Sequence, residues 1–328
     1  GFVMIEYSVI VPAYNAVSTL DGCLNALLNQ SISKERYEVI VIDDGSTDRT
    51  ADQVKNYPVR YLYQKNHGPA TARNTGVKEA IGHIVLFTDS DCVPDVHWIR
   101  EMVRPFDDKE VAAVKGAYRT RQKSLTARFS QMEFEERFAM LKKAGTIDMV
   151  DTYSAGFRKE IFLKMGGFDI SFPAANNEDT EFSYRMSKLG YRMVFNPDAI
   201  VYHLNHPDTI RRYARLKFWR GYWRMVVYKR FPDKMLKDTY TPQTLKLQIL
   251  FLFLVFACLP FTVLFRPLGL YALFFSAILL SVFLLPFTLF AFKKDPFIGA
   301  AAPFFLLVRA ASLGLGMLRG MGGGTRKI

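Results

Sequence analysis

The sequence predicts an α/β chain: a mostly parallel, doubly wound sheet, followed by interfacial helices and C-terminal transmembrane helices. Three observations carry this expectation. Apolar strand-like runs alternate with helix-like stretches through Asp91, each strand-like run stops at polar residues, and long uncharged runs fill the chain beyond Leu247. Alternation of that kind is the signature of a parallel sheet with helices on its faces.

The first strand is "YSVIVPAYN", Tyr7–Asn15, stopped at Pro12. A helix follows through Leu20, Leu24, Leu27 and Leu28, with Ser18 placed as its cap. "YEVIVIDDGSTDRTADQV" repeats the pattern, with a strand to Ile42, a glycine turn, and a helix starting near Ser46 or Thr47. "VRYLYQK" and "GHIVLFTDSD" are two further strands, separated by the helix of "GPATARNTGVKEAIG". No G-x-G-x-x-G follows the first strand, and "GVKEAIG" lacks the Gly-Lys-Ser/Thr ending of a phosphate-binding loop.

In such a sheet, ligands bind beyond the carboxyl ends of the strands. Those ends are Tyr14-Asn15, Asp43-Asp44, Lys65-Asn66 and Asp89-Ser90-Asp91. One polar strand end is a turn; four on one edge describe a pocket. Asp89 and Asp91 stand one residue apart, so a bend directs both toward one cation, and carboxylate oxygens suit Mg²⁺ or Mn²⁺. Asp43 and Asp44 lie further along the edge, where a carboxylate accepts from an imide or a ribose hydroxyl. Arg73, just inside a helix, offers a planar fork to phosphate or serves structurally.

Glu178, Asp179 and Glu181 open a later helix. Carboxylates in a first turn match the helix dipole, or present a base to an attacking hydroxyl at a cleft rim. Both readings stand on the residues alone. His203 leaves the strand-like "AIVYH" and reads equally as a metal ligand, a phosphate contact or a structural histidine; His206 carries less. The three cysteines, Cys23, Cys92 and Cys258, show neither metal spacing nor a disulfide framework. Cys92 reads as a small residue packed behind the site.

The net charge of +12 is unevenly placed. Residues 1–203 hold 25 basic and 27 acidic residues, whereas residues 204–328 hold 18 and 4. The N-terminal part therefore has no bias toward polyanions, and a nucleic-acid polymer is not an expected partner. Leu247–Phe265 and Pro267–Phe292 are uncharged over 19 and 26 residues, each long enough to cross ~30 Å of hydrocarbon. A third run, Pro296–Val308, spans 13 residues before Arg309, so it crosses with the arginine snorkelling or lies re-entrant or interfacial. Basic and aromatic residues interleave between Arg211 and Lys237, as suits the headgroup level of a cytoplasmic leaflet. Positive-inside bias puts residues 1–240 in the cytoplasm, while a third crossing would leave Arg319, Arg326 and Lys327 outside. The N-terminus enters a strand, so no signal peptide is expected. The expected division is 1–205 as a cytoplasmic catalytic domain, 206–243 as interfacial helices, and 244–328 as a membrane domain of two to three helices.

With these residues in view, the chain resembles the membrane-associated glycosyltransferases of family 2, inverting, metal-dependent enzymes of GT-A fold. The resemblance rests on "VIVPAYN", "VIDDGSTDRT", "NHGPATARNTG", "LFTDSDC", "GGFD" and "NNEDTEFSYRMSKLGYRM", in that order over about residues 5–203. It implies a nucleotide-sugar donor, most commonly a UDP-sugar, and Mn²⁺ or Mg²⁺. It implies that Pro12, Ala13 and Tyr14 line the nucleobase, and that Asp44 and Asp43 contact base or ribose. Asp91 is the implied direct ligand, and Asp89 serves the metal, its bound water or the ribose. Asp179 matches the general base, with Glu178 beside it, and a histidine after the later strand, here His203, reaches the metal in several relatives. "RLKFWRGYW" does not reproduce the Gln/Arg-x-x-Arg-Trp motif of processive synthases. One sugar moved to a lipid-linked glycan or another membrane-embedded hydroxyl is therefore expected. A dolichyl- or undecaprenyl-phosphate sugar synthase is the alternative, ahead of a processive synthase or an inactive scaffold.

Overall fold

The computed structural model describes residues 4–172 and 177–322. Arg326 and Lys327, which bore on the topology argument, lie outside the described residues. The chain divides into two units. Among the described residues, one comprises 4–122, 140–172 and 177–206; the other comprises 123–139 and 207–322.

The first unit opens with β1 (Tyr7–Ala13), α1 (Leu20–Leu28), β2 (Tyr37–Asp43), α2 (Thr50–Val54), β3 (Arg60–Tyr63), α3 (Pro69–Glu79) and β4 (Ile84–Thr88). This is the alternation read from the sequence. Two helix starts fall later than expected: α1 is preceded by Thr19, which makes no side-chain cap bond, and α2 begins at Thr50. The chain continues through β5 (Cys92–Pro94), α4 (Trp98–Val103), β6 (Val111–Arg119) and α5 (Leu125–Leu141). It then forms β7 (Ser154–Arg158), α6 (Lys159–Lys164), α7 (Glu178–Lys188) and β8 (Arg192–His203).

The sheet corrects the expected fold class. Its order is β3-β2-β1-β4-β7-β6-β8-β5. The β3-β2-β1-β4 half is parallel, but β7 runs antiparallel to both β4 and β6, and β5 runs antiparallel to β8. The sheet is mixed, not mostly parallel. The reason lies in "SAGFR" of β7, which is short and poor in β-branched residues, and so carries no strand pattern of its own. It is a strand because it is paired on both sides, by β4 and β6, and Gly156 leaves room for the Leu86 and Phe106 side chains, which a Cβ would meet at 3.0 and 3.1 Å. The core below it is aromatic: Phe87, Phe157, Phe162, Phe168 and Phe182 meet at ring-centre distances of 4.8–6.4 Å.

The second unit contains α8 (Ile210–Arg230), α9 (Pro232–Leu236), α10 (Gln243–Leu264), α11 (Leu268–Lys294) and α12 (Pro296–Gly322). The last three are long and apolar enough to cross a membrane. Arg309 does not snorkel as expected: it is buried within the unit, bonded to Glu133 of α5 and Gln248 of α10. Residues 123–139, which include most of α5, thus belong with the apolar helices, which no local pattern signals. α8 and α12 approach backbone to backbone. A Cβ on Gly316 would sit 2.0 Å from the Phe218 carbonyl oxygen, and one on Gly221 would sit 2.3 Å from that of Leu313. Small residues permit such contact between helices in a membrane setting.

Gly316→Ala is accordingly expected to cost ~1–3 kcal/mol, the usual penalty of overpacking, read as a lower thermal midpoint of the detergent-purified protein. Gly322→Ala, at a position with nothing within 4 Å, should leave the midpoint unchanged.

Candidate active site

The parallel register aligns Ala13 with Asp43 and Asp43 with Tyr63, so three strand ends lie side by side. Pro12 is partly buried and Ala13 buried, whereas the Tyr14 ring is 52% exposed at the open edge. Asn15 follows with φ +49°, a conformation asparagine tolerates better than most side chains. Its Oδ1 accepts from the Thr47 N–H at 2.8 Å, and its own N–H donates to Ser46 Oγ at 2.9 Å. Asn15 therefore pins the end of β1 to the turn after β2, a role the sequence did not announce.

Asp43 and Asp44 are both buried. Asp43 accepts from the Ser46 N–H at 2.8 Å and from the Tyr61 hydroxyl at 2.8 Å, one bond on each oxygen. Asp44 accepts from Gln64 Nε2 at 2.6 Å and from the His67 and Gly68 N–H groups at 3.0 and 2.8 Å. Asp44 thereby fixes the loop that enters α3, while Asp43 fixes its own turn.

Arg73, on α3, is the buried centre of the site. One guanidinium nitrogen donates to Asp89 Oδ1 at 2.8 Å and another to Glu178 Oε1 at 2.9 Å. Arg73 thus reaches Glu178 at the start of α7 across 105 residues of chain, and ties it to Asp89 just beyond β4. Burial, and then the neighbouring Asp179 carboxylate, push the Glu178 carboxyl up to about 7, against the pull of Arg73. Asp179 is less buried. Its Oδ2 accepts from the Thr152 N–H at 3.3 Å and its Oδ1 from the Thr180 N–H at 2.7 Å.

Asp91 goes elsewhere. Pairing of Cys92 with His203 across β5 and β8 brings His203 Nε2 to 3.3 Å from Asp91 Oδ2. Asn205 Nδ2 reaches the same oxygen at 3.4 Å. Burial works against ionisation of Asp91, but the bonds from His203 and Asn205 hold its carboxyl below the ordinary value. The other ring nitrogen of His203 lies 3.2 Å from that of His206, and Tyr118 packs against both rings.

Asp91, Cys92 and His203 offer ligand atoms within 4.8 Å of one another. Asp91 and His203 fit a hard or borderline divalent cation: one carboxylate oxygen, one imidazole nitrogen, both partly exposed. Cys92 fits less well, because burial drives its thiol well above the ordinary range and thiolate is the ligating form. The structure thus unites Asp91 with His203 and assigns Asp89 to Arg73 instead. Asn205 escaped the sequence reading because no spacing links it to Asp91; its position directly after the β8 strand end was the one available signal.

Residues 8–166 match the model of glycosyl transferase family 2. The chain is similar to the glycosyltransferase AglE of Haloferax volcanii, 28% identical over 61% of this chain and 67% of the relative. It is also similar to the probable glycosyltransferase YdaM of Bacillus subtilis, 29% identical over 67% of this chain and 53% of the relative. The chain thus spans two thirds of the first relative and about half of the second. Among solved structures, the mannosyltransferase PcManGT from Pyrobaculum calidifontis, in complex with GDP-Man and Mn²⁺, superimposes with a TM-score of 0.62. That alignment is 20% identical and covers 97% of this chain and 87% of the other, a likeness of fold.

The raised Glu178 carboxyl has a signed consequence. A carboxyl that binds its proton more tightly when folded stabilises fully below its ordinary value of 4.5, and loses that contribution as pH rises through about 7. Thermal midpoints between pH 4.5 and 8 should therefore fall with rising pH, and Glu178→Gln should flatten that slope.

Proposed function

Starting from residues 8–166 as a glycosyl transferase family 2 domain, we propose that the chain is a metal-dependent hexosyltransferase. It moves one sugar from a nucleoside-diphosphate donor, UDP-linked in the first instance, to a lipid-linked glycan or another membrane-embedded hydroxyl. The observation that carries this reading is one sheet edge. It brings together a cation-ready pair, Asp91 with His203, and an acidic pair, Glu178 with Asp179, whose first member is tied by Arg73 to Asp89.

Tyr14 offers an exposed ring for the base, flanked by Pro12 and Ala13. Asp44, with lone pairs beyond its three loop bonds, takes the nucleoside, and Asp43 supports the turn beneath it. Asp91 and His203 hold Mn²⁺ or Mg²⁺. Such an ion, when bound, neutralises charge developing on the departing diphosphate.

Asp179 accepts the proton of the acceptor hydroxyl as that oxygen bonds to C1 of the sugar, and the C1–oxygen bond to the diphosphate breaks on the opposite face. The bonds from Thr152 and Thr180 fix its carboxylate and leave lone pairs on both oxygens. Glu178 and Arg73 keep Asp179 in register with Asp89. Residues 1–205, apart from the stretch 123–139 that belongs with the second unit, are the cytoplasmic catalytic part, 206–243 the interfacial helices, and 244–328 the membrane anchor. The donor named with the Pyrobaculum structure, GDP-Man, is the second donor to test.

Purified protein incubated with a panel of nucleotide sugars, Mn²⁺ or Mg²⁺, and lipid acceptors should transfer sugar to a lipid-linked glycan or lipid hydroxyl. Transfer to bare lipid phosphate alone would replace this reading with a polyprenyl-phosphate sugar synthase. Asp179→Asn should lower kcat by ~10²–10⁴, the span typical of a lost general base, while nucleotide-sugar affinity stays within about twofold. Carbonate washing should leave the chain in the membrane fraction.

A further inference from the structure

We propose that the second unit carries a binding site for the phosphate of a membrane lipid, centred on Arg137. The site follows from a charge imbalance. On α5, Glu133, Glu136 and Arg137 fall at i, i+3 and i+4 and share a face. Glu133 is buried and takes bonds from three donors: the Tyr213 hydroxyl at 3.0 Å, Lys217 Nζ at 2.8 Å and Arg309 at 3.1 Å. One carboxylate therefore faces two basic side chains, Arg309 and a Lys217 whose ammonium burial pulls down to about 7, and the proximity of these groups and Arg137 holds it ionised in spite of burial.

Arg137 has no such partner. Its residue is 8% exposed, its Nε is buried without a hydrogen bond, and no ion pair reaches it among the described residues. It rests instead on the rings of Tyr240 and Phe134, at 4.9 and 5.5 Å. Cation–π contact recovers only part of the hydration that a guanidinium loses on burial. The acids nearby, Glu133 and Glu136, favour its charge only through space and make no bond to it. Burial pushes the Glu136 carboxyl up, toward its neutral form, and Asp238 gives its oxygens to the N–H groups of Tyr240 and Thr241 and to the Thr241 hydroxyl. Arg309 Nε and Ser130 Oγ are also buried without partners.

A planar fork of unspent donors, backed by aromatic rings, is the chemistry that recognises phosphate oxygens. The same unit holds the three helices long and apolar enough to cross a membrane. A ligand there needs an apolar tail as well as an anionic head, which selects a lipid phosphate over a soluble one. The proposal concerns binding and stands apart from the transfer reaction, so it is tested without donor.

Detergent-purified full-length protein is titrated with a polyprenyl monophosphate, phosphatidylglycerol, phosphatidylcholine and inorganic phosphate, with affinity and thermal midpoint as readouts. Wild type should bind the monophosphate or phosphatidylglycerol at least tenfold more tightly than the other two. Preference for the monophosphate identifies a carrier lipid; parity identifies bulk anionic lipid. Arg137→Gln should weaken that binding at least tenfold while the ligand-free protein still unfolds in one cooperative transition. Absence of lipid-phosphate binding in wild type overturns the proposal, as does unchanged binding in Arg137→Gln or inorganic phosphate binding equally well. Should Arg137→Gln fail to fold, Arg137→Lys takes its place, and a photoreactive lipid phosphate must crosslink to residues 130–140 or 213–240; crosslinking elsewhere refutes the site.

Discussion

The buried guanidinium of Arg73 is the contact on which the candidate site depends. It connects the loop after β4 to the first turn of α7, through Asp89 and Glu178, at 2.8 and 2.9 Å. Without it, Glu178 and Asp179 would face Asp89 with no cation between them, and like carboxylates in a partly dry setting repel strongly. Because Asp179 sits next to Glu178 in the chain, the orientation of Asp179 follows from a bond made by its neighbour. Asp91, only two residues from Asp89, is released from Arg73 and turned toward His203 by the short pairing of β5 with β8. Two carboxylates at one strand end thus acquire different partners, one cationic and permanent, the other open to an exchangeable ion.

The second unit applies similar physics with a different result. Glu133 gathers Lys217 and Arg309 and so permits a charged residue inside the most buried of the three long apolar helices. An arginine there without a counter-ion would carry a large desolvation penalty. Gln248 of α10 completes the arrangement by accepting from Arg309 and donating to the Phe283 carbonyl. Helix packing here rests on glycine contacts and one shared carboxylate, in a setting where apolar burial between helices provides little drive.

Much of this was legible in the sequence, and what escaped has a common cause. The first four strands, their polar ends, and the acidic opening of α7 were visible because period and position are local properties. The direction of the sheet beyond β4 was not, since β7 has five residues, among them Ala155 and Gly156, and takes its strand character from its neighbours. Asp89 and Asp91 look equivalent in "FTDSDC" by residue type and spacing, and in the fold they take different partners, from α3 and from β8. Arg73 was visible as a donor fork, but its union with Glu178 required the fold. Arg309 was read as an interruption of an apolar run because its counter-ion stands 176 residues away.

Under the proposed function, Asp91 and His203 are the cation pair at the donor site. Electron paramagnetic resonance of Mn²⁺, titrated into the purified protein with and without UDP, tests this without reference to any acceptor. One bound ion is predicted, tightened by UDP, with its signal lost in Asp91→Asn and weakened in His203→Ala. Equal binding in wild type and Asp91→Asn, or none in wild type with UDP present, would contradict it.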